Sequence, residues 1–299
     1  MHELAMQLKK AEIGLVLEKE PMANHTTWKV GGPADIYVVP TSQAKLAEAM
    51  KYIREAAVPW FVIGRGSNLL VRDGGIRGVV VSLDQLNKIR FEGHRVIAEG
   101  GCSLVRLSVL SAQKGLSGLE FAGGIPGSVG GAVFMNAGAH GSDVSRVLEA
   151  VTVLYEDGQV RYTREEMGFA YRTSRLQKER GIVSEAIFHL QPLDRTVIME
   201  KMRKYRQKRL ATQPLNMPCA GSVFRNPEGD YAARLIEAAG LKGATMGGAK
   251  ISNVHANFIV NTGNATAKDV LSLIAYCQEV VYEQFGVRLK TEVQIAGED

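Results

Sequence analysis

The sequence is poor in the features that mark exported, metal-binding and membrane-spanning proteins. Its three cysteines, Cys102, Cys219 and Cys277, are widely spaced and include no Cys-x-x-Cys pair, so neither a disulfide framework nor a zinc site is predicted. No His, Cys, Asp and Glu cluster has the spacing of metal ligands. No apolar run approaches the ~20 residues that a membrane helix needs, and residues 1–10 lack the apolar core of a signal peptide. We expect a cytoplasmic protein with reduced thiols, no metal and no membrane insertion.

The chain also lacks a strong charge of either sign. Its 36 Lys and Arg residues against 31 Asp and Glu residues give a net charge of +5. That balance suits a protein that handles anionic nucleotides but is small for a nucleic-acid binder. The basic residues are dispersed except for one cluster at 201–209, a pattern typical of a solvated helix face. We predict no nucleic-acid partner, and no obligate protein partner is evident.

Glycine, in contrast, is abundant, with 32 residues, and the densest tract is 121–141. Each glycine costs backbone entropy and offers a positive φ or close approach of the backbone to a bulky group. The tract contains no Lys or Arg, so an anion lying on it would be held by backbone N–H groups and helix dipoles. The pattern alone leaves open a ligand site or a set of tight turns.

A second glycine turn lies upstream, where the buried strand 60–63 runs into 64–73. It matches neither the Walker pattern nor the Rossmann fingerprint, because no Gly-Lys-Ser/Thr closes it and the third glycine is missing. Alone it is equally consistent with a tight loop. Together the two tracts favour a long phosphate-bearing cofactor.

Helical and strand patterns alternate along the chain and predict an α+β fold in three parts. Ser42 is placed to cap a helix before the 60–63 strand. Asp157-Gly158 is a hairpin signal in a β-rich stretch that ends near 195. Thr266 and Asp269 have capping-box spacing ahead of a helix that Gly286 ends. The last segment, 287–295, alternates like a strand, with Val287, Leu289, Val293 and Ile295 on the inward face and Glu292 on the solvated face.

Six segments, taken in chain order, form a more specific pattern than any one motif. They are Asn24-His-Thr-Thr-Trp-Lys-Val-Gly-Gly-Pro-Ala-Asp35, Gly64-Arg-Gly-Ser-Asn-Leu-Leu70, 121–141, Tyr171-Arg-Thr-Ser174, Ala220-Gly-Ser-Val-Phe-Arg-Asn-Pro227 and 251–261. In that order they resemble a family of bacterial flavoenzymes, the UDP-N-acetylenolpyruvoylglucosamine reductases, and the match covers nearly the whole chain. The family lies within the wider vanillyl-alcohol-oxidase-type FAD-binding proteins, and the short span between Arg172 and Ser222 resembles the subclass without an inserted tyrosine-bearing loop.

The resemblance implies both the fold and the ligands. It implies a two-subdomain FAD-binding fold, with subdomains at 1–85 and 86–195, and a C-terminal α+β substrate domain at 196–299. It implies non-covalent FAD, NADPH as hydride source, and a UDP-sugar enolpyruvyl ether as acceptor. In that reaction NADPH reduces the flavin, and hydride then passes to the enolpyruvyl double bond.

Three residues match the family's catalytic positions. Arg172 would meet the substrate carboxylate, because a planar guanidinium suits a carboxylate better than lysine does. Ser222 would act as proton donor. Glu292 would stabilise or protonate the enolate-like intermediate that forms when hydride adds to the double bond, and burial would raise the pKa of its carboxyl group. Pattern alone favours blander roles for each of them: a solvated basic loop, a Gly-Ser turn and a solvated strand face. The sequence leaves open which of Ser222 and Glu292 delivers the proton.

The resemblance also assigns binding residues. Weaker candidates for substrate contacts are Arg225, Asn226 and Asn257, whereas His255 is expected to be structural. The cofactor is expected along the backbone of both glycine tracts, at Gly64, Arg65, Gly66, Ser67, Asn68 and Leu69, and at Gly123, Gly124, Ile125, Pro126, Gly127, Ser128, Gly130, Gly131, Asn136 and Gly138.

Two other functions compete with the reductase. An oxidase or dehydrogenase of the same flavin fold would be favoured if the Tyr-Arg-x-Ser and Ala-Gly-Ser segments were missing, but both are present. A nucleotide-binding module without catalysis would share the glycine tracts. Only the chemistry of Ser222 separates that module from the reductase.

Overall fold

The structure is a computed structural model that describes all 299 residues. The chain forms two compact units, each built from separate stretches of sequence. Unit 1 comprises 1–18, 36–65 and 78–209, and unit 2 comprises 19–35, 66–77 and 210–299. The chain passes from one unit to the other inside the first glycine turn, between Arg65 and Gly66.

The chain contains seven α-helices and eighteen short strands. The helices are α1 His2–Lys10, α2 Gln43–Glu55, α3 Leu104–Gln113, α4 Val129–Met135, α5 Arg195–Thr212, α6 Ala232–Ala238 and α7 Ala267–Phe285. The strands are β1 Gly14–Pro21, β2 Pro33–Pro40, β3 Trp60–Ile63, β4 Leu69–Val71, β5 Ile76–Ser82, β6 Ile89–Glu92, β7 Arg95–Glu99, β8 Leu116–Ser117, β9 Gly138–Ala139, β10 Ser142–Asp143, β11 Leu148–Tyr155, β12 Gly158–Thr163, β13 Ile182–His189, β14 Gln191–Pro192, β15 Thr245–Met246, β16 Ala249–Ile251, β17 Ile259–Asn261 and β18 Gln294–Ala296.

Unit 1 contains two hydrophobic cores. One lies among α1, α2 and the strands of a four-stranded sheet with the order β1-β2-β5-β3, and includes the buried Leu46 and Ile53. The other packs α3 and α4 against an antiparallel sheet with the order β12-β11-β13-β7-β6, around Leu107, Val133 and Phe188. Unit 1 is thus organised around two separate cores.

Unit 2 has one core, built around α6, α7 and the antiparallel sheet β15-β16-β17. The buried Trp28, from the N-terminal part of the chain, belongs to this core, and its indole N–H donates to the carbonyl of Ile259 at 2.7 Å. Strand β18 pairs in parallel with β4 and so joins the C-terminal segment to the first glycine turn.

The local signals for helix ends are confirmed. The Ser42 side chain accepts a hydrogen bond from the N–H of Lys45. Thr266 and Asp269 form a complete capping box at the start of α7, and Gly286 ends that helix in the left-handed conformation. Asp73, just after β4, adds a second cap that the sequence did not reveal. Its carboxylate accepts the N–H groups of Ala267 and Lys268 at 2.8 and 2.9 Å.

The predicted strand over 287–295 is wrong in extent. Only 294–296 forms a strand, and Ile295, predicted to face inward, is 39% exposed. The cause is a change of partner: the N–H of Glu292 donates to Val223, whereas that of Gln294 donates to Asn68. Leu289 and Val293 are buried as predicted.

Helix α5 also differs from the expected division of the chain. It lies with unit 1 as far as Arg209, whereas the sequence placed it at the start of the substrate domain. The functional division into 1–85, 86–195 and 196–299 stays a prediction. No helix combines the length and apolar character needed to cross a membrane.

Burial predicts the reactivity of the thiols. None of the three cysteines forms a disulfide, and burial raises the pKa of Cys102 and of Cys277 to about 12. At pH 8 the thiolate, which is the reactive form, is then only about one part in ten thousand of each. We expect Ellman's reagent at pH 8 to leave both thiols unmodified in the native protein and to modify all three cysteines in guanidinium chloride. Modification of two or more thiols before unfolding would contradict this, and a Cys219→Ser variant identifies any thiol that reacts early.

Candidate active site

The first glycine turn, residues 64–69, is held tightly by protein backbone on one side. Gly66 has φ +59°, and a Cβ placed on it would lie 2.0 Å from the carbonyl oxygen of His25. The same glycine's carbonyl accepts the N–H of Thr27 at 3.1 Å. By contrast, the N–H groups of residues 65–68 donate no hydrogen bond to another backbone group. The turn therefore retains unused donors of the kind that bind a phosphate.

The two glycine tracts meet at Ser128, within unit 1. A Cβ on Gly64 would lie 2.2 Å from the Ser128 hydroxyl oxygen. That hydroxyl accepts the N–H of Gly131 and caps α4. Gly127 donates no backbone hydrogen bond, although its carbonyl accepts from Leu104 at 3.0 Å. The structure thus brings together the two tracts that the sequence suggested serve one ligand.

Several glycines of the 121–141 tract are required by the protein's own packing. A Cβ on Gly123 would lie 2.8 Å from the Met202 methyl group, and one on Gly124 would lie 3.0 Å from Cδ of Arg209, both on α5. The N–H of Gly130 donates to the carbonyl of Gly100 at 2.7 Å. These glycines therefore allow helix α5 and other backbone to approach the tract closely, which the sequence did not predict.

Ionisable groups from the tract and from α5 face each other. The buried Glu120 accepts the Ser117 hydroxyl at 2.6 Å and the N–H of Gly118 at 2.8 Å, and Lys201 lies 3.6 Å away. Burial opposes ionisation of Glu120, yet these donors hold its pKa below the usual value. The His140 ring stacks on Tyr205 at 4.0 Å. Partial removal of His140 from water and the nearby cations of α5 lower its pKa.

Arg172 lies at the tip of a two-residue turn in unit 1. Ala170 and Thr173 exchange both backbone hydrogen bonds across that turn, at 3.1 and 3.0 Å. Arg172 has φ +54°, which is unusual for a residue with a side chain. Its guanidinium donates to the carbonyl of Gly138 at 2.9 Å and lies 5.1 Å from the ring of Tyr171. The predicted carboxylate-binding arginine is therefore attached to the end of the second glycine tract.

Ser222 and Glu292 are neighbours in unit 2. The carbonyl of Val223, the residue after Ser222, accepts the N–H of Glu292 at 2.7 Å. Both Ser222 and Glu292 are partly buried. Gly221, just before Ser222, has φ +75° and has no atom within 4 Å of its would-be Cβ, so space is open beside the serine.

The first glycine turn is connected inside unit 2 to Glu292 and to Cys219, which lies three residues before Ser222. The Asn68 side chain donates to the carbonyl of Glu292 at 3.2 Å. The Thr27 hydroxyl lies 2.7 Å from the carbonyl of Cys219 and 3.3 Å from that of Gly66. Thr27 was not identified from the sequence, because no local pattern signals a hydroxyl that joins two distant backbone segments.

The three weaker substrate candidates differ in the hydrogen bonds that their side chains already make. Both side-chain amide atoms of the buried Asn257 bond to the backbone of Phe224, at 2.8 and 2.9 Å, and Asn226 caps the N–H of Ala232 at 3.1 Å. Nε of Arg225 is buried without a partner. A buried guanidinium nitrogen without an acceptor is a donor that an anionic ligand would satisfy, so Arg225 is the best supported of the three.

His255 has the structural role that its sequence suggested. Its Nδ1 accepts the N–H of Asn257 at 3.2 Å. Its ring packs edge-on against Phe258 at 4.8 Å. Burial, with a smaller contribution from the nearby Lys242, lowers the pKa of His255.

The predicted residues thus fall into two groups. Unit 1 holds Gly64, Arg65, the second glycine tract and Arg172, whereas unit 2 holds the rest of the first turn, Ser222, Glu292 and the substrate candidates. The sequence missed Gln177, whose side chain donates to the carbonyl of Arg172 at 2.9 Å. It also missed Asp73 and Thr27, since each acts on backbone that is distant along the chain.

Two protein-family models match the chain. Residues 34–164 match a model described as FAD binding domain, and residues 213–296 match one described as UDP-N-acetylenolpyruvoylglucosamine reductase, C-terminal domain. These matches cover both glycine tracts in the first case, and Ser222 and Glu292 in the second.

Relatives and solved structures agree with the family models. The UDP-N-acetylenolpyruvoylglucosamine reductase of Bacillus licheniformis is 54% identical, over 100% of this chain and 99% of its own. The crystal structure of the reductase of that name from Thermus caldophilus is 37% identical, with a TM-score of 0.82 over 94% of this chain and 99% of its own. An alkyldihydroxyacetonephosphate synthase, at 15% identity and TM-score 0.51, shares the fold over 64% of this chain. The predicted α+β class, with a vanillyl-alcohol-oxidase-type FAD-binding part, is confirmed.

Proposed function

The chain belongs to the UDP-N-acetylenolpyruvoylglucosamine reductase family, and we propose that Arg172, Ser222 and Glu292 carry out its reaction. It is an FAD-dependent oxidoreductase. With NADPH it reduces the enolpyruvyl group of UDP-N-acetylglucosamine enolpyruvate to the lactyl ether, giving UDP-N-acetylmuramate for peptidoglycan precursor synthesis. The observation that supports our residue roles best is the 2.7 Å hydrogen bond from the backbone N–H of Glu292 to the carbonyl of Val223, which brings the backbone of Glu292 beside the residue that follows Ser222.

The glycine turn fits the phosphates of FAD. Residues 65–68 leave their N–H groups without a backbone acceptor, and Gly127 at the second tract does the same. We assign the cofactor to these two stretches, with Ser128 fixing their contact. FAD, when bound, supplies the two-electron transfer between NADPH and the substrate.

Arg172 has the chemistry to bind the substrate carboxylate. Adding hydride to the terminal carbon of the double bond places negative charge next to an existing carboxylate, which is costly without a nearby cation. A guanidinium remains charged at all physiological pH values and presents a planar pair of donors. The turn at 170–173 presents this group at a fixed backbone position, so little reorganisation is needed when charge develops.

Ser222 is our candidate for the proton donor to the adjacent carbon, with Glu292 supporting it. A serine hydroxyl is a weak acid, so it must be held against the intermediate in advance. The strand-like contact between 223–225 and 290–293 supplies that rigidity, with hydrogen bonds Glu292 to Val223 and Arg225 to Lys290. The buried, unpartnered Nε of Arg225 supports a contact to an anionic part of the UDP-sugar.

We further propose that the protein acts in the cytoplasm and needs no obligate protein partner. Its three cysteines form no disulfide, as is typical of proteins in a reducing compartment.

Anaerobic stopped-flow absorbance tests this function. The purified holoenzyme is reduced with NADPH and mixed with UDP-N-acetylglucosamine enolpyruvate, and absorbance of oxidised flavin is followed. We expect rapid reoxidation without oxygen. A flavin that stays reduced would instead favour an oxidase or dehydrogenase of the same fold, and a protein that takes up no FAD would contradict the assignment.

A further inference from the structure

We propose that Gln177 is a positioning residue that fixes the backbone of Arg172 and thereby the direction of its guanidinium. The inference rests on the proposed role of Arg172 at the substrate carboxylate. Gln177 lies five residues beyond the arginine, is partly buried, and belongs to no sequence motif that marks the site.

The side-chain amide of Gln177 connects the arginine turn to helix α4. Its Nε2 donates to the carbonyl of Arg172 at 2.9 Å and to the carbonyl of Phe134 at 3.1 Å. A primary amide has two N–H donors, and these two short bonds engage them, with a longer contact from the same nitrogen to the sulfur of Met135 at 3.7 Å. The peptide plane that follows Arg172 is thus fixed to the C-terminal turn of α4.

Other side chains hold the same turn from its remaining sides. Asn136 donates to the carbonyl of Ala170 at 3.1 Å, while its oxygen accepts the N–H of Ser145 at 3.0 Å. The hydroxyl of Ser174 donates to the carbonyl of Phe134 at 2.7 Å. The turn is therefore anchored to the end of the α4 region at both of its ends, and Gln177 is the anchor that contacts Arg172 itself.

This anchoring holds Arg172 in an uncommon backbone conformation. With φ +54°, the arginine occupies a conformation that side-chain-bearing residues adopt only when the surroundings impose it. In that conformation its Nη2 reaches the carbonyl of Gly138 at 2.9 Å. Releasing the carbonyl of Arg172 would let the turn relax toward ordinary backbone angles and turn the guanidinium away from the glycine tract.

Replacing Gln177 with methionine tests the proposal, because methionine has a similar size and donates no hydrogen bond. We expect NADPH reduction of the flavin to proceed at the wild-type rate. We expect reoxidation by the enolpyruvyl substrate to slow by ~10–100-fold, the scale of a misplacement of about 1 Å in an active site. The matched control is Lys178→Met, the exposed neighbouring residue, which should leave both half-reactions unchanged.

A double-mutant cycle with Arg172→Ala separates positioning from a general loss of structure. If Gln177 acts through Arg172, adding Gln177→Met to Arg172→Ala should slow reoxidation no further. If the two substitutions slow reoxidation independently, so that their factors multiply in the double variant, the proposal is overturned. It is also overturned if Gln177→Met reoxidises at the normal rate while Arg172→Ala is slow. Normal reoxidation in Arg172→Ala would instead contradict the proposed function.

If Gln177→Met fails to retain FAD or to fold, Gln177→Glu serves as the second variant. It keeps the length of the side chain but presents a carboxylate oxygen to two carbonyl oxygens, and the same selective slowing of reoxidation is expected. A flavin spectrum and melting temperature like those of the wild type, with both half-reactions unaffected, would overturn the proposal.

Discussion

Replacing Ser222 with alanine should slow flavin reoxidation by the enolpyruvyl substrate by ~10²–10⁴-fold, the scale of a positioned acid, and leave reduction by NADPH close to the wild-type rate. The proton on the substrate's adjacent carbon must come from a group already in place when charge develops. Ser222 lies beside the open space at Gly221, and its neighbour Val223 is bonded to Glu292. Anaerobic double-mixing stopped flow measures the two half-reactions separately.

A control for this experiment is available in the same unit. Ser272→Ala removes the hydroxyl of another partly buried serine, on α7, and should change neither half-reaction. Equal slowing of both half-reactions in Ser222→Ala would indicate a disturbed site and would contradict the proton-donor role. An unchanged reoxidation rate would move that role to Glu292, and Glu292→Gln should then show the large effect.

Local chemistry allowed the sequence to predict much of the fold. A helix cap depends on residues three apart, which is why Ser42 with Lys45 and Thr266 with Asp269 were identified correctly. The hairpin of β11 and β12 was predicted with its turn at Asp157-Gly158; because Tyr155 pairs with Gly158, the turn lies one residue earlier, at Glu156-Asp157. In each case the interacting groups lie within one turn of chain.

Long-range pairing limited the rest of the prediction. The membership of 19–35 in unit 2 depends on Trp28, whose partner Ile259 lies 231 residues away. The alternating pattern after 287 correctly placed Leu289 and Val293 in the core but could not show that the chain changes partner at Gln294. Periodicity reports which face is buried, not which strand it meets.

The candidate site divides in the same way. The glycine tracts were visible as composition, and their contact at Gly64 and Ser128 supports one shared ligand. Composition alone, however, attributed too many of these glycines to ligand binding, because Gly123 and Gly124 also make room for α5. The roles of Arg172, Ser222 and Glu292 came from the family resemblance alone, since their own patterns fit exposed loops and a strand face equally well.

The largest expected effect on cofactor binding comes from Gly66→Ala. The new methyl group would lie 2.0 Å from the carbonyl oxygen of His25 and 2.8 Å from Cα of Thr26, both backbone atoms that no side-chain rotation can move away. The left-handed φ of +59° adds about 1 kcal/mol for any residue with a Cβ. Relieving the overlap requires the turn to shift and its N–H groups to move. We expect FAD to bind ~10²-fold more weakly or worse, equivalent to about 3 kcal/mol.

Gly93→Ala provides a control with the same backbone conformation. Gly93 also has φ +59°, in the turn between β6 and β7, but has no atom within 4 Å of its would-be Cβ. The alanine there should cost about 1 kcal/mol of folding stability and leave FAD affinity unchanged. Flavin fluorescence titration of the two apoproteins, with thermal melts, makes the comparison. Equal FAD affinity in both variants would mean that the first glycine turn does not hold the cofactor, whereas loss confined to Gly66→Ala separates close approach at the site from the general cost of a left-handed backbone.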